Sequence, residues 1–356
     1  PTPMSPAPTV AAPPSATPNP QDAAWAKVVE AARKEGTVIF MVATDPSYLG
    51  DNGIALTKAF RESTGIRLEI LSMQGAAIVE KVKVEKRMGQ IVTDLVRPSP
   101  LQLKLLASEG LLAAVPDLPI FRDKDAWLFN PIELDPRAQL IGDAVVWTSP
   151  YVNTKIVKEA EWPTSRRDLL EPQWKGKMVM SDPRTGSGVY RTFIPLVRVG
   201  ALDWEYLKAL GGQDLILAPN NSAAILEVAK GAASLTPMGT SGPNTPIVEA
   251  GAPVKALSMK EGDLFDINSF SAVEGSPHPN AAKVFMNWFL GTEGQRLFAN
   301  ISKHNSLRKD APKLTPKDVI PPNPAVRKIR ITNEDSQEAE RLLKEGFIAK
   351  LMGLQR

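Results

Sequence analysis

Residues 181–188 read SDPRTGSG, between a short apolar run, KMVM, and an apolar, helix-like run, VYRTFIPLVRVG. A proline, an arginine, hydroxyl side chains and two glycines at the mouth of a helix admit three kinds of chemistry. They could form a plain turn, a phosphate cradle for catalysis, or a grip on an anion that is held and not transformed. The stretch lacks the lysine and spacing of a P-loop and the glycine spacing of a dinucleotide fingerprint. No G-x-S-x-G elbow occurs in the chain. Asp94, Asp143 and Asp182 fall near strand ends but are spread along the sequence, so loop and cap roles explain them better than a general acid does. There is no cysteine, which excludes a disulfide framework, a thiolate metal site and a cysteine nucleophile. The two histidines lie in polar loops: His278 in SPHPN, where a helix-capping turn is expected, and His304 in SKHNS, where loop surface is expected. No catalytic residue, metal site or cofactor is therefore expected, and the chain does not read as an enzyme.

The binding reading has a direct physical basis. At a helix start the first N–H groups lack partners and the helix dipole is positive. Glycines and small hydroxylated residues let a ligand approach those groups, and Arg184 adds a charge able to grip a carboxylate or phosphate with two hydrogen bonds. Arg97 occupies the matching place after an earlier strand.

These residues need strands and helices to hold them. Order is expected to begin near Asp22, with Trp25, Val28, Val29 and Ala32 on one helical face and Gly36 as the stop. TVIFMVA is a continuous run of β-formers, as in a strand buried on both faces. A helix over 54–63, the strand IRLEIL, a helix through Met88, the strand IVTDLV and the helix LQLKLLASEG follow. Strand and helix alternate three times, which implies an α/β unit with a largely parallel sheet. Ligands of such sheets bind beyond the carboxyl ends of the strands. The loops at those ends carry Thr44, Asp45, Ser72, Gln74, Arg97 and Ser99. Residues 111–145 are rich in Pro and Asp. A second series then runs through DAVVWTSPYVNTK, KMVMSDP, DLILAPN, ASLTPMGTSG and PVKALSM, and INSFSAVEG reads as one more strand. Two helices broken at Gly291-Thr292 and one amphipathic tail helix close the chain.

With 356 residues the chain suggests about two domains. A net charge of +3 is too small for a nucleic-acid footprint, and no apolar run approaches the roughly 20 residues of a membrane span. Residues 1–20 carry no charge and are Pro/Ala/Ser/Thr-rich, which reads as an extended stalk with no intact signal peptide.

The ordered series WAKVVEAARKEGTVIFMVAT, LTKAFRESTGIRLEIL, WKGKMVMSDPRTGSG, LEVAKGAA and GSPHPNAAKVFMNWFLGTEGQRLFA resembles the periplasmic solute-binding proteins of ABC importers. The likeness is to the type II class, in the branch of ferric-iron, phosphonate, thiamine and sugar-phosphate binders. It spans about 25–310. The resemblance implies an α/β fold of two lobes joined by a hinge, each a mixed, mostly parallel sheet flanked by helices. Its expected segments are a stalk over 1–21, lobe one over 22–145 and 266–335, lobe two over 146–265, and a C-terminal helix over 336–356 on either lobe. It further implies a monomer, periplasmic or extracellular, tethered through an N-terminal anchor, that hands its solute to a permease. Iron binders of that branch carry adjacent tyrosines where this chain has Thr240 and Ser241. The departure favours an organic or phosphorylated anion, with ferric iron, or a sensory module without transport, as the alternatives. By motif position the contacts would come from Thr44, Asp45, Ser72, Gln74, Arg97 and Ser99 in lobe one. In lobe two they would come from Arg184, Thr185, Ser187, Gly188, Thr240 and Ser241, with Tyr151 and Asn153 on the cleft wall.

Overall fold

The structure, a computed structural model, describes residues 20–132, 135–184, 188–241, 247–248, 250–311, 323 and 325–354. Thr185, Gly186, Ser187 and the 242–246 loop lie outside the described residues, as does the expected stalk up to residue 19.

The first lobe is built as the apolar pattern dictates. Helix α1 (Pro20–Glu35) lays Trp25, Val28, Val29 and Ala32 on a core, and Gly36, at φ 72°, turns the chain into β1 (Thr37–Ala43). In β1, Val38, Phe40 and Val42 face one core while Met41 faces a second on the other side of the sheet. This is how a continuous apolar run is satisfied in a strand covered on both faces. Helices α2 (Gly50–Thr64), α3 (Gly75–Met88) and α4 (Pro100–Ser108) alternate with the parallel strands β2 (Arg67–Met73) and β3 (Leu95–Arg97). The third strand is shorter than its apolar run suggested. Asp94, just before it, is wholly buried and its carboxylate accepts bonds from the Ile39 N–H, the Ser276 hydroxyl and the His278 N–H, while the Val92 and Thr93 N–H groups ahead of it are taken by the Glu85 carboxylate. After the two-residue β4 (Leu112–Ala113) the chain runs through short 3₁₀ turns, as a Pro- and Asp-rich stretch should.

Strand β5 (Ile141–Asn153) then leaves the first lobe for the second. There β6 (Val179–Ser181), α5 (Gly188–Arg198), α6 (Trp204–Gly211), β7 (Ile216–Ala218), α7 (Asn221–Lys230), β8 (Leu235–Thr240) and β9 (Val254–Ala256) follow in order. Strand β10 (Asp263–Val273) returns antiparallel to β5, with Leu264 opposite Thr148 and Phe270 opposite Ile141. One nine-stranded mixed sheet results, with the path β2-β1-β3-β10-β5-β8, and β5 and β10 are its long shared members. Helices α8 (Pro279–Leu290) and α9 (Thr292–Ser302) cover the first lobe. Phe285 stacks on Phe289 at 5.3 Å and meets Phe40 at 5.3 Å and Phe60 edge-on at 5.2 Å. Truncating Phe285 to alanine should cost about 3–5 kcal/mol.

Two expectations about the C-terminal part need correction. The segment returning to lobe one ends before residue 328. Strand β11 (Lys328–Arg330) pairs with the start of β10, and Ile329 and Ile331 join the second core, with Tyr190, Phe193 and Leu264. The tail is two helices, α10 (Asn333–Lys344) and α11 (Phe347–Leu351), broken at Gly346, φ 63°, and both pack on the second core through Ala339, Leu342, Ile348 and Met352. The i/i+3/i+4 apolar pattern continues across the glycine, which hides the break from a periodicity argument.

Candidate functional site

The first lobe presents the carboxyl ends of β1, β2 and β3. Thr44 is exposed, and its N–H bonds the Met73 carbonyl at 3.0 Å, tying the first two strand ends together. Asp45 closes a tight turn, its carboxylate accepting the Ser47 N–H at 2.9 Å. Ser72 keeps a buried hydroxyl with no protein partner, and exposed Gln74 stands at the N-cap of α3 without making a cap bond. Gly75 follows because a Cβ there would sit 2.3 Å from Gln102 Oε1. That Gln102 is committed to Ser99: the Ser99 N–H donates to Gln102 Oε1 at 3.0 Å and the Gln102 N–H to the Ser99 hydroxyl at 3.3 Å, a capping box. The N-cap positions of α2 and α3 have no side-chain cap, whereas those of α4 and α7 do.

Arg97 is not on the rim. It is buried, with Nε 2.5 Å and Nη2 3.3 Å from the wholly buried Asp143 carboxylate and Nη1 3.7 Å from Asp45. Its guanidinium carbon lies 5.3 Å from the Tyr48 ring centre and 5.5 Å from that of Phe298. Burial alone would pull its pKa down; Asp143, the Tyr48 phenol and Asp45 hold it above the ordinary arginine value. Alternation along β3 puts Arg97 on the same side as Leu95, toward the first core, where Phe298 of α9 covers it. The structure thus places it in a buried ion pair and not on the exposed rim where the strand-end pattern put it.

In the second lobe, β6 ends at buried Ser181, and the Asp182 N–H bonds the Ala218 carbonyl at 2.8 Å. Arg184 is exposed, yet its guanidinium is taken by its own neighbour: Nε lies 2.9 Å from Asp182 Oδ1 and Nη2 2.7 Å from Oδ2, with the Arg184 N–H on the same carboxylate at 2.8 Å. The opening stretch is thus a self-paired turn as far as it is described. Gly188 begins α5. A Cβ on it would stand 3.1 Å from Asn221 Oδ1, and that oxygen is buried without a partner. The N-termini of α5 and α7 therefore converge on one spot, with Asn220 already capping α7 through the Ala223 N–H.

Thr240 ends β8, half-buried, opposite Thr148. Ser241 is wholly buried and exchanges two 2.9 Å bonds with Trp147, N–H to carbonyl and hydroxyl from N–H, so it knits the loop to the shared strand. Tyr151 and Asn153 also belong to the interior and not to a cleft wall. Tyr151 packs with Ile225 and Ala256; Asn153 donates to the Val228 carbonyl at 2.7 Å and accepts the Lys155 N–H at 2.9 Å. Both lie in the half of β5 that is paired by β8 on one edge and by β9 on the other, and that pairing encloses them.

Two groups were missed. His304 follows α9, and its Nδ1 is buried with no partner; burial first, and then the Arg97 charge, push its pKa below the ordinary value. Its neighbour Asn305 bridges Val145 of β5, which brings the expected surface loop inward. Arg191, one turn into α5, pairs with Asp266 of β10. Its place on the first helical turn after Gly188 was the available signal.

Among the described residues no group of three or more His, Asp or Glu is placed to hold a metal ion. The four tyrosines, Tyr48, Tyr151, Tyr190 and Tyr206, are each at most 2% exposed, and burial raises the pKa of all four.

Comparison with known proteins gives the setting. The family model for "Bacterial extracellular solute-binding protein" matches residues 55–327. A Haemophilus influenzae protein described only as uncharacterized is 26% identical over 144 residues, which is 38% of this chain and 40% of that relative. The chain thus spans about two fifths of the length of the curated relative it matches. Among solved structures, iron-bound HitA of Pseudomonas aeruginosa is 21% identical with TM-score 0.64, covering 87% of this chain and 99% of that one. AfuA of Actinobacillus pleuropneumoniae, a periplasmic binding protein with fructose-6-phosphate bound, is 18% identical with TM-score 0.63, covering 90% and 99%. The spermidine/putrescine substrate-binding protein PotD of Streptococcus pneumoniae is 15% identical with TM-score 0.65, covering 89% and 99%. At these identities the likeness is one of fold.

Proposed function

The chain belongs to the bacterial extracellular solute-binding proteins, and from that premise we propose that it captures a small anionic organic or phosphorylated solute between its two lobes and delivers it to an ABC permease. The observation that carries the anionic reading is the set of helix N-termini at the strand ends. Those of α2 and α3 have no side-chain cap, and those of α5 and α7 converge beside Asn221, whose unpartnered oxygen would accept from a hydroxyl of the solute and not from its anionic group. Unsatisfied N–H groups at such positions favour negative charge. Thr44, Ser72 and Gln74 from the first lobe add hydroxyl and amide groups, and Arg184, Gly188 and Thr240 stand at the second rim, with Thr185 and Ser187 in the same loop. Asp45 and Asp182 restrict this choice, since any anion must avoid them or meet them through a hydroxyl or amine. A phenolate-bound ferric ion is disfavoured because each tyrosine is enclosed in a core and its ionisation is opposed by burial. The protein acts as a monomer in this reading, periplasmic or extracellular, tethered to the membrane or secreted.

The test is native mass spectrometry of freshly purified protein, followed by thermal melts with sugar phosphates, organic acids, spermidine and ferric citrate. A ligand at 100 times its Kd stabilises by about 2.7 kcal/mol, so the true class should raise Tm by several degrees. Stabilisation by spermidine, or a retained visible iron band, with no response to anions, refutes the anionic reading. Closure on the solute should also shrink the radius of gyration in solution scattering.

A further inference from the structure

Beside the shared strands, on the side of α4 and α10, lies a cavity of about 240 Å³, lined from the first lobe by Lys104 and Leu140, from β10 by Asp266 and Ser269, and from the second lobe by Arg330 and Thr332. Its volume is about that of eight waters. None of the strand-end residues of the solute site lines it.

Three cations, Lys104, Arg137 and Arg330, and three carboxylates, Asp135, Asp266 and Glu334, line it, and Arg191 reaches Asp266 from outside the lining, which leaves one positive charge over. Asp266 is taken by Arg191. Asp135, at the margin, accepts the Gln139 and Leu140 N–H groups at 3.0 and 2.8 Å and has Arg137 at 3.6 Å. Glu334 is held by Lys104 at 3.1 Å. Arg330 is left over. Its Nε is buried without a hydrogen-bond partner, and among the described residues no carboxylate lies within 4 Å of its guanidinium. Arg191 also keeps a buried, unpartnered Nε close by. Arg330 is half-buried and feels Asp266 only through space; a donor that is buried without a hydrogen bond is costly, and a cavity beside it gives a counter-ion room to sit. Arg166 shows the contrasting case: it too has an unpartnered Nε, but it is wholly enclosed in the second lobe, with Nη1 on the Pro237 carbonyl at 3.1 Å.

We propose that this cavity is a second site, for one small oxyanion such as phosphate or a carboxylate, held chiefly by Arg330, with Ser269 and Thr332 hydroxyls and the Lys104 and Arg137 charges around it. Because its walls come from both lobes and from β10, an anion there ties the two lobes at one angle. Occupancy is then linked to the hinge, and a ligand that binds one angle better shifts the population toward it.

The probe is inorganic phosphate, titrated into the whole chain at constant ionic strength by calorimetry and by thermal melts. The wild type should bind one phosphate saturably and gain Tm. Arg330→Gln should weaken phosphate at least about 10-fold, as loss of a charge-assisted bond does, and without phosphate its Tm should stay close to that of the parent, because its buried Nε has no hydrogen bond to lose. Arg137→Gln, on the exposed margin, should weaken phosphate a few-fold, and Arg184→Gln should leave it unchanged. The proposal is overturned by a wild type with no saturable response. It is equally overturned by an Arg330→Gln protein that keeps wild-type affinity or melts well below the parent, or by loss of phosphate binding in Arg184→Gln. None of these outcomes depends on finding the transported solute, so this site and the anionic reading of the strand-end site can fail separately.

Discussion

Arg97 and Arg184 were expected in corresponding places beyond a strand; Arg97 is the last residue of β3 and Arg184 follows the end of β6 by three residues, and each is paired with an aspartate. The first is enclosed between Tyr48 and Phe298 with a partner, Asp143, that sees no solvent. The second stands at the surface, paired within its own turn. The same two side chains are therefore a structural clamp in one lobe and a solvent-facing turn in the other. What separates them is that Arg97 is still within its strand, whose alternation aims it at the core, whereas Arg184 lies in the turn after its strand. They differ too in how much of the chain later returns to cover each.

Four measurements would break or sharpen that contrast. The largest effect belongs to Arg97→Ala. It leaves Asp143 as an uncompensated buried charge and should cost about 3–5 kcal/mol in urea unfolding; a cost under 1 kcal/mol would place Arg97 on the rim after all. Next is Asn153→Ala, which strips partners from the Val228 carbonyl and the Lys155 N–H. It should cost about 1–3 kcal/mol with solute affinity kept, whereas affinity loss at unchanged stability would restore it to the cleft wall.

The third concerns pH. His304 has a folded pKa below its unfolded value of 6.5, so below about pH 6.5 the unfolded chain binds more protons. Its contribution is full above that pH and declines as pH falls toward the folded pKa, with a slope of at most about 1.4 kcal/mol per pH unit for one proton. His304→Gln should flatten the stability profile between pH 7 and 5; an unchanged profile would detach His304 from the Arg97 cluster. The smallest stability effect is expected for Arg184→Ala, a barely measurable change in Tm, since exposed pairs contribute little. Its solute affinity should fall if the guanidinium exchanges Asp182 for the ligand. A large drop in Tm with affinity intact would make Arg184 as structural as Arg97.

The fold was legible wherever apolar runs had a single interpretation. TVIFMVA, the two crossing strands and the break at Gly291 were all readable, because two-faced burial and helix punctuation leave local marks. Three features were not. The division at Gly346 sits inside an unbroken apolar pattern. The return of β11, α10 and α11 to the second lobe is a matter of which core has an open face, and no local residue states that. The interior positions of Tyr151 and Asn153 depend on β8 and β9, which pair beside them from more than 80 residues later in the chain. For the site, the strand-end loops were found from the α/β pattern, but polar residues look alike in sequence whether they face a ligand or cap a helix. Ser99 is the clearest instance, since Ser-x-x-Gln is itself the capping-box signature and could have been read that way.

The interleaving of β5, β10 and the last helices also constrains how this protein can be made. The first core is finished only when 281–307 arrive, and the second only when Ile348 and Met352 do. A chain emerging from the ribosome at about 5–20 residues per second therefore completes its smaller clusters, which end by Ala256 and Val273, before either large core is closed. Domains that fold one after another can close each large core in turn; here the first waits for segments made after the second lobe, and the second for segments made after those. The nascent form must keep both large apolar surfaces from aggregating until the helices that cover them have been made. For a protein that works outside the cytoplasm, lateness of folding is then written into the strand order itself.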